Sequence, residues 1–361
     1  MKPKKRILVS PLNWGLGHAS RCIPVIRELL NQDAEVFIAA EKPAIDLLQI
    51  EFPELNFISL PPFQLSYSNQ LPMPIVIGLQ LPSLLKSISR DYKILAQLME
   101  KHRLQGVISD NRYGMHSKRI PSAIITHQIH IKSPVFQKSL RKKIGQLIDQ
   151  FDCCWVPDYT GSNNLSGNLS HGLSTLNNKL QYIAPLSRFE PPDQSESPKI
   201  KRPLMVILSG PEPNRSNLES EILDQLKHYN IETLFLRGLP GENRSQLFTP
   251  TQVELHNHLP TDLMRQEMLR SEVILCRSGY SSIMDLIVLE KKALLIPTKG
   301  QSEQEYLAEH LLEKKWFYST PESRLNLISD LKEAIKYTVP KFAETQENLT
   351  LAVKQFMQKC A

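Results

Sequence analysis

No apolar run in this 361-residue chain reaches the eighteen or so residues that a membrane-spanning helix needs. Cysteine is scarce: Cys22, Cys153, Cys154, Cys276 and Cys360 are odd in number and lack the spacing of a zinc site or of a C-x-x-C pair. Reduced, buried thiols are therefore expected rather than a disulfide framework. Aromatic residues make up only 7% of the chain, and no recognition-helix, zinc-finger or aromatic RNA-platform pattern accompanies its basic residues, which argues against a nucleic-acid partner. The opening Met1-Lys-Pro-Lys-Lys-Arg6 runs directly into the apolar Ile7-Leu-Val with no signal-peptide h-region, so a cytoplasmic setting is expected.

What is present is the composition of a globular protein, with 41% hydrophobic and 22% charged residues. The length exceeds what one hydrophobic core usually holds, so two domains are expected. Charge is unevenly spread. Residues 1–180 carry 21 Lys and Arg against 13 Asp and Glu, and the remainder carries 22 against 24. A basic first half suits an anionic acceptor or an anionic membrane surface.

Short β-branched runs alternate with helical patterns from the first residues onward. Strands are expected at 6–10, 35–40, 56–60, 106–109, 122–126, 154–156 and 181–183, with helices over 20–30 and 43–50. The second half repeats the scheme with strands at 204–208, 232–236, 253–256, 273–276 and 293–296. Such alternation predicts parallel sheets covered by helices. The proline-rich, polar segment 191–203 reads as a linker between domains 1–190 and 204–340, and residues 341–361 read as a final helix returning to the first domain. Ligands of such sheets bind beyond the carboxyl ends of the strands, so the site is expected in a cleft between the two domains.

The most informative stretch is Ile274-Leu-Cys-Arg277-Ser278-Gly279-Tyr-Ser-Ser-Ile-Met-Asp285, followed by the strand Ala293-Leu-Leu-Ile and then Gln304-Glu305. A helix opening after Ser-Gly presents free N–H groups and a positive dipole end, to which a diphosphate can bind. Asp285, on the same helix, can accept hydrogen bonds from two ribose hydroxyls. This is the layout of a nucleotide-sugar site. No D-x-D pair, the usual means of placing a divalent cation on such a donor, occurs in the chain, and metal independence is expected.

The first strand ends at Asn13-Trp14-Gly15-Leu16-Gly17-His18-Ala-Ser20-Arg21. Two glycines allow a tight turn, and His18 at a helix start can act as a general base; a plain strand-to-helix turn with a surface histidine is the alternative. In the loop Ser109-Asp110-Asn111-Arg112, Asp110 either holds the His18 tautomer and raises its basicity or caps the next turn. Thr126-His127-Gln128-Ile129-His130 offers acceptor contacts or packing. From Pro134 to Phe151, apolar residues recur at helical spacing with Lys138, Arg141, Lys142 and Lys143 on other faces. That pattern fits a helix lying on an anionic bilayer or gripping a lipid-linked diphosphate, and equally a core-packed helix with a solvated basic face. The apolar stretch Leu71 to Leu85, interrupted by Pro72, Pro74 and Pro82, fits either a membrane-facing segment or a mobile acceptor loop.

With these motifs in place, the chain resembles GT-B fold glycosyltransferases, most closely those whose C-terminal domain defines glycosyltransferase family 28, a group that includes the peptidoglycan lipid-intermediate N-acetylglucosaminyltransferase. The resemblance implies an α/β protein of GT-B architecture, with two doubly wound Rossmann-like domains facing a central cleft. It implies an inverting, metal-independent enzyme that needs no cofactor and uses a UDP-sugar as co-substrate; the acceptor stays open between a soluble one and, as the basic helix suggests, a lipid-linked one met at the inner membrane face. Position by position, His18 matches the family's base, and Gly15 and Gly17 its first glycine loop. Arg277, Ser278 and Gly279 match the diphosphate turn, Asp285 stands for the ribose-binding glutamate, and Arg188 resembles the arginine near the diphosphate. Gln304 and Glu305 occupy the place of paired glutamines that read the sugar, and 259–264 that of the segment packing on uracil. The second glycine loop appears as Ser209-Gly210-Pro211-Glu212-Pro213-Asn214-Arg215, whose prolines remove two N–H donors and whose Arg215 offers charge in their stead. Two other readings stay open at this stage: a UDP-sugar epimerase of the same architecture, and a scaffold with a degenerate site.

Overall fold

The structure, a computed structural model, describes residues 3–13, 15–62, 73–130, 137–172, 176, 178–193, 199–239, 250–342 and 347–360; the side chains of 73–84 and 137–140 lie outside that description. The chain divides into two compact units, Met1–Leu186 with Ala343–Ala361, and Ser187–Phe342.

In the first unit the chain runs β1 (Arg6–Pro11), α1 (Leu16–Asn31), β2 (Glu35–Ala40), α2 (Ala44–Glu51), β3 (Asn56–Ser59), α3 (Met73–His102), β4 (Gly106–Asp110), β5 (Ser122–Ile125), α4 (Gln137–Ile148), β6 (Cys153–Val156) and β7 (Leu180–Tyr182). These seven strands form one sheet in the order β3-β2-β1-β4-β5-β6-β7, and every pair is parallel. Central strands buried on both faces read as unbroken apolar runs, as Ile7-Leu8-Val9 and Val107-Ile108 do. One face packs Leu8, Phe37, Ala39 and Val107 against Leu95, Leu98 and Met99 of α3. The strand order reverses at β1 and β4, where Pro11 lies in register with Asp110. In doubly wound sheets that switch point is where ligands bind.

The final helix α10 (Glu347–Lys359) belongs to this unit and packs on α1. Lys5 caps its C-terminus by donating from Nζ to the carbonyls of Met357 and Cys360, at 2.8 and 2.7 Å. A side chain at Gly106 would run into the Cys360 sulfur and the Phe356 ring, at 2.8 and 2.9 Å, so this position holds glycine for close approach.

The second unit runs β8 (Arg202–Ile207), α5 (Asn214–Leu226), β9 (Thr233–Leu236), β10 (Val253–His256), α6 (Thr261–Leu269), β11 (Ser271–Cys276), α7 (Tyr280–Val288), β12 (Lys292–Leu295), α8 (Ser302–Glu313), β13 (Tyr318–Ser319) and α9 (Leu327–Ala334). Its parallel sheet has the order β10-β9-β8-β11-β12-β13, with the switch point at β8 and β11, where Ile207 lies in register with Cys276. Leu204, Val206, Phe235, Val273, Leu275 and Leu294 meet Leu218, Ile222 and Leu226 of α5 in one core.

Three elements differ from the sequence reading. The stretch beginning at Leu71 is helical from Met73 onward rather than a loop, and Leu71 and Pro72 lie outside the described residues. Pro74 sits in the first turn, where the missing N–H has no partner to lose, so α3 loses a ladder bond only at Pro82. Helix α1 begins at Leu16, four residues earlier than expected, because Gly15 takes φ 80° as its N-cap and starts the helix immediately. The two-residue β13 has no β-branched run to announce it and forms because β12 offers an open edge.

Candidate active site

In the first unit the site grows from the turn between β1 and α1. Helix α1 opens on Gly15 without a side-chain cap, and no atom lies within 4 Å of where a Cβ at Gly15 would stand. His18 therefore occupies the first turn of an uncapped helix, at the switch-point end of the sheet. Its Nδ1 lies 3.3 Å from Asp110 Oδ2, across the β1–β4 register, and 2.8 Å from Arg21 Nη2, one turn along the same helix. Arg21 closes the group as a two-pronged donor. Nε donates to Asp110 Oδ2 at 2.7 Å, Nη2 donates to Asp110 Oδ1, and Nη1 stands 3.3 Å from His127 Nδ1. Arg21 and Asp110 are both fully buried.

The electrostatics follow from this packing. Burial opposes ionisation of Asp110, but Arg21 and His18 outweigh it and hold the carboxyl at about 2. His18 moves below its ordinary 6.5: burial and the Arg21 charge disfavour the imidazolium by more than Asp110 favours it. Asp110 does raise the basicity of His18, as expected from the sequence, but burial and the Arg21 charge outweigh that contribution. Nothing in the sequence marks Arg21 for this part except its i,i+3 spacing from His18 on a helix.

The neighbouring loops are built from the same strand ends. Asn111 turns the chain at φ 54°, and Ser109 Oγ donates to the Arg112 carbonyl at 2.7 Å. Arg112, expected on the acceptor side, points into the protein instead. It is 3% exposed, donates to both carboxylate oxygens of Asp91 at 3.1 and 2.9 Å, and to Glu41 at 3.1 Å. It fastens the β4 loop to α3 and β2. His127 is buried, while Gln128 is half-buried with its backbone N–H bonded to Thr126 Oγ1. Helix α4 packs Ile144 and Ile148 into a core with Ile124, Phe151 and Val156, and leaves Arg141, Lys142 and Lys143 exposed. The Lys138 side chain and residues 134–136 lie outside the described residues, as does Trp14. The basic face acts on the 126–130 segment through charge: burial and then the Arg141 charge push His130 down to about 4.

In the second unit, α7 opens after the switch-point strand β11. Gly279 is its N-cap, no side chain caps the first turn, and the space around Gly279 is open. Ser278 does not cap because its hydroxyl donates to the Gln304 carbonyl at 2.8 Å. Asp285 is clasped from the start of the unit: Ser187 Oγ donates to Oδ1 at 2.6 Å, and the Arg188 backbone N–H donates as well. Burial raises the Asp285 carboxyl to about 6, against the pull of the Arg188 charge and the Ser187 hydrogen bond. The Arg188 side chain is 8% exposed, packs over the Phe189 ring and points Nη2 at the Met264 sulfur of α6. Arg188, Asp285 and the 259–264 segment thus come together. Ser187 escaped sequence reading because nothing local marks a hydroxyl that acts across ninety-eight residues.

Two expected donor contacts are used internally. Arg277 is 1% exposed and ties three neighbouring segments together. It donates to Glu322 and to the Asn214 carbonyl, each at 2.7 Å, and more weakly to the carbonyls of Ile296 and Pro297. Arg215 was to supply charge beside the exposed Ser209 and Gly210. Its guanidinium instead donates to Glu212 at 2.6 Å and to Glu219, and Glu219 also receives Arg237 at 2.7 Å, so two cations balance two carboxylates. Gln304 and Glu305 shape the 298–301 turn by accepting from the N–H groups of Thr298 and Gly300, each at 2.9 Å. Among the described residues no group of three or more His, Cys, Asp or Glu side chains could hold a metal ion.

Comparison with known proteins places this arrangement. Residues 223–360 match the profile described as the glycosyltransferase family 28 C-terminal domain. Two Methanosarcina acetivorans proteins described as glycosyltransferases are 23% and 25% identical over 88% and 92% of this chain, and over 86% and 89% of their own. Among solved structures, the kitacinnamycin glycotransferase covers 100% of both chains at a TM-score of 0.65 and 13% identity. Acinetobacter baumannii MurG covers 99% of this chain and 95% of its own at 0.53 and 12%, and Arabidopsis thaliana UGT89C1, complexed with UDP-L-rhamnose, covers 99% and 95% at 0.63 and 11%. The fold is GT-B, and the chain is a glycosyltransferase of the GT-B type. Its C-terminal part is of the family 28 kind.

Proposed function

We propose that the protein transfers a hexose or N-acetylhexosamine from a UDP-sugar, with inversion at the anomeric carbon and without a metal ion. The observation that carries this reading is the pairing of the uncapped α7 N-terminus with the clasped Asp285 carboxyl. Asp285 follows Gly279 by six residues, roughly 9 Å along a helix axis, a span that suits a diphosphate at the helix end and a ribose at the carboxylate. Two oxygens of a carboxylate offer about four acceptor positions, so the bonds from Ser187 and Arg188 leave room for ribose hydroxyls. The helix dipole and Arg188 meet the diphosphate charge in place of a cation.

On the other substrate, His18 Nε2 takes the proton of an acceptor hydroxyl, the oxygen attacks the anomeric carbon, and the bond from that carbon to the diphosphate breaks to release UDP. Inversion follows from a single in-line displacement. The exposed Arg141, Lys142 and Lys143 suit an acceptor that carries phosphate or sits in an anionic membrane. Among the described residues no helix is long and apolar enough to cross a membrane, so any such association is peripheral in this reading.

The test is release of UDP from a panel of UDP-sugars in EDTA, with a membrane lipid extract as acceptor. Acceptor-dependent release that His18→Ala lowers by about 100-fold or more supports the reading. Conversion of donor alone to an epimer, or full activity in the variant, counts against it.

A further inference from the structure

We propose that Arg21 is a positioning residue that fixes the resting His18 as the Nε2–H tautomer, and that release of this one hydrogen bond turns His18 into a base. The inference rests on the reading of His18 as the base and adds what controls it. A guanidinium carries donors only, so a ring nitrogen 2.8 Å from Arg21 Nη2 must accept. The accepting nitrogen is Nδ1, which leaves the proton of the neutral ring on Nε2. The alternative, an Nδ1–H donated to Asp110 Oδ2, has the longer separation of 3.3 Å and would set one N–H against another at Arg21.

Asp110 is the weaker partner of Nδ1, at 3.3 Å against 2.8 Å for Arg21. Both its oxygens already receive Arg21, with Nε at 2.7 Å, and the Cys22 thiol adds a weak contact at 3.8 Å. Two other groups face the cluster: His127 presents Nδ1 to Arg21 Nη1, and the Tyr113 hydroxyl feels the charges of Arg21 and Asp110. In this resting state His18 can donate from Nε2 but cannot accept there. A base needs the opposite tautomer. When Arg21 Nη2 withdraws from Nδ1 while Nε keeps its bond to Asp110, one proton moves from Nε2 to Nδ1, faces Asp110 Oδ2, and frees the Nε2 lone pair; the ring stays neutral throughout.

The test is long-range 15N–1H spectroscopy of the histidine rings in the full chain, with His18 assigned by loss of its signals in His18→Gln. The expected result is an unprotonated Nδ1 and a protonated Nε2 in the wild type. In Arg21→Met the dominant tautomer inverts and the ring titrates at higher pH, because Asp110 is then free to support the imidazolium. A wild-type ring protonated at Nδ1, or an unchanged tautomer in Arg21→Met, overturns the proposal. Should Arg21→Met fail to fold for want of a partner for Asp110, the wild-type spectrum decides alone, and the pair Arg21→Met with Asp110→Asn supplies the comparison. None of these readouts uses glycosyl transfer. The proposal can therefore fail while the transferase reading stands, and an inactive protein with the expected spectrum would fault only the transferase reading.

Discussion

Ser187 donates a 2.6 Å hydrogen bond to Asp285, and the receiving carboxyl is nevertheless raised to about 6 by burial. The molecule thus keeps an acid where neutral pH makes it costly. The folded state holds the proton between pH 4 and 6 while the unfolded chain, near 3.8, has lost it, so this group's contribution to stability falls as pH rises through that window. Asp285→Asn is expected to raise stability at pH 7 by about 1–2 kcal/mol in urea unfolding, while weakening UDP binding. Affinity of the wild type for UDP should fall as pH drops below 6, where the carboxylate becomes protonated. A variant both less stable and unaltered in affinity would remove Asp285 from the site.

Asp110 behaves in the opposite sense. Its folded value of about 2 lies below the ordinary 3.8, so the stability it contributes is present above pH 4 and lost as pH falls toward 2. Asp110→Asn leaves the buried Arg21 charge unbalanced and is expected to cost about 3–5 kcal/mol at neutral pH. Its unfolding free energy should also lose much of the wild type's decline between pH 4 and 2.

Arg112 is predicted to matter for folding and not for the acceptor. Arg112→Met removes the two-pronged partner of Asp91 and the ion-pair partner of Glu41 in the interior, with an expected loss of about 3–5 kcal/mol. Its KM for the acceptor, measured below the lowered melting temperature, should stay within a factor of two or so of the wild type, because one side of a buried network carries no ligand.

The exposed basic face of α4 supplies a fourth prediction. Replacing Arg141, Lys142 and Lys143 together by glutamine should reduce co-sedimentation with anionic vesicles, at about 1 kcal/mol per charge, and flatten its dependence on salt. UDP affinity should not change. Equal pelleting of variant and wild type would remove α4 from any membrane contact.

Legibility in the sequence followed the range of the interaction. Both sheets were readable because strands such as Ile7-Leu8-Val9 and Val273-Ile274-Leu275 are continuous apolar runs between helical patterns, and their switch points pointed to Gly15–His18 and Arg277–Asp285. Charged residues were read less well. Arg112 and Arg277 stand in polar loops that look ligand-facing, and each is consumed by a carboxylate brought from elsewhere, Asp91 and Glu322, whereas Arg215 lies in the first turn of α5 and is taken by the local Glu212 and Glu219. A single sequence states that an arginine follows a strand, but not which acid the fold carries to it. The same limit hid Ser187, whose partner is a residue of α7, and it left unseen that Asp110, which does face His18, also receives Arg21 on both its oxygens.

The most direct test of the account is calorimetry of UDP, GDP and ADP binding to the full chain in EDTA, alongside Asp285→Ala. The account predicts that UDP binds without a divalent cation, more tightly than the other two, and that Asp285→Ala lowers its affinity by about tenfold or more. No UDP binding at millimolar concentration, or binding only after a divalent cation is added, would contradict it.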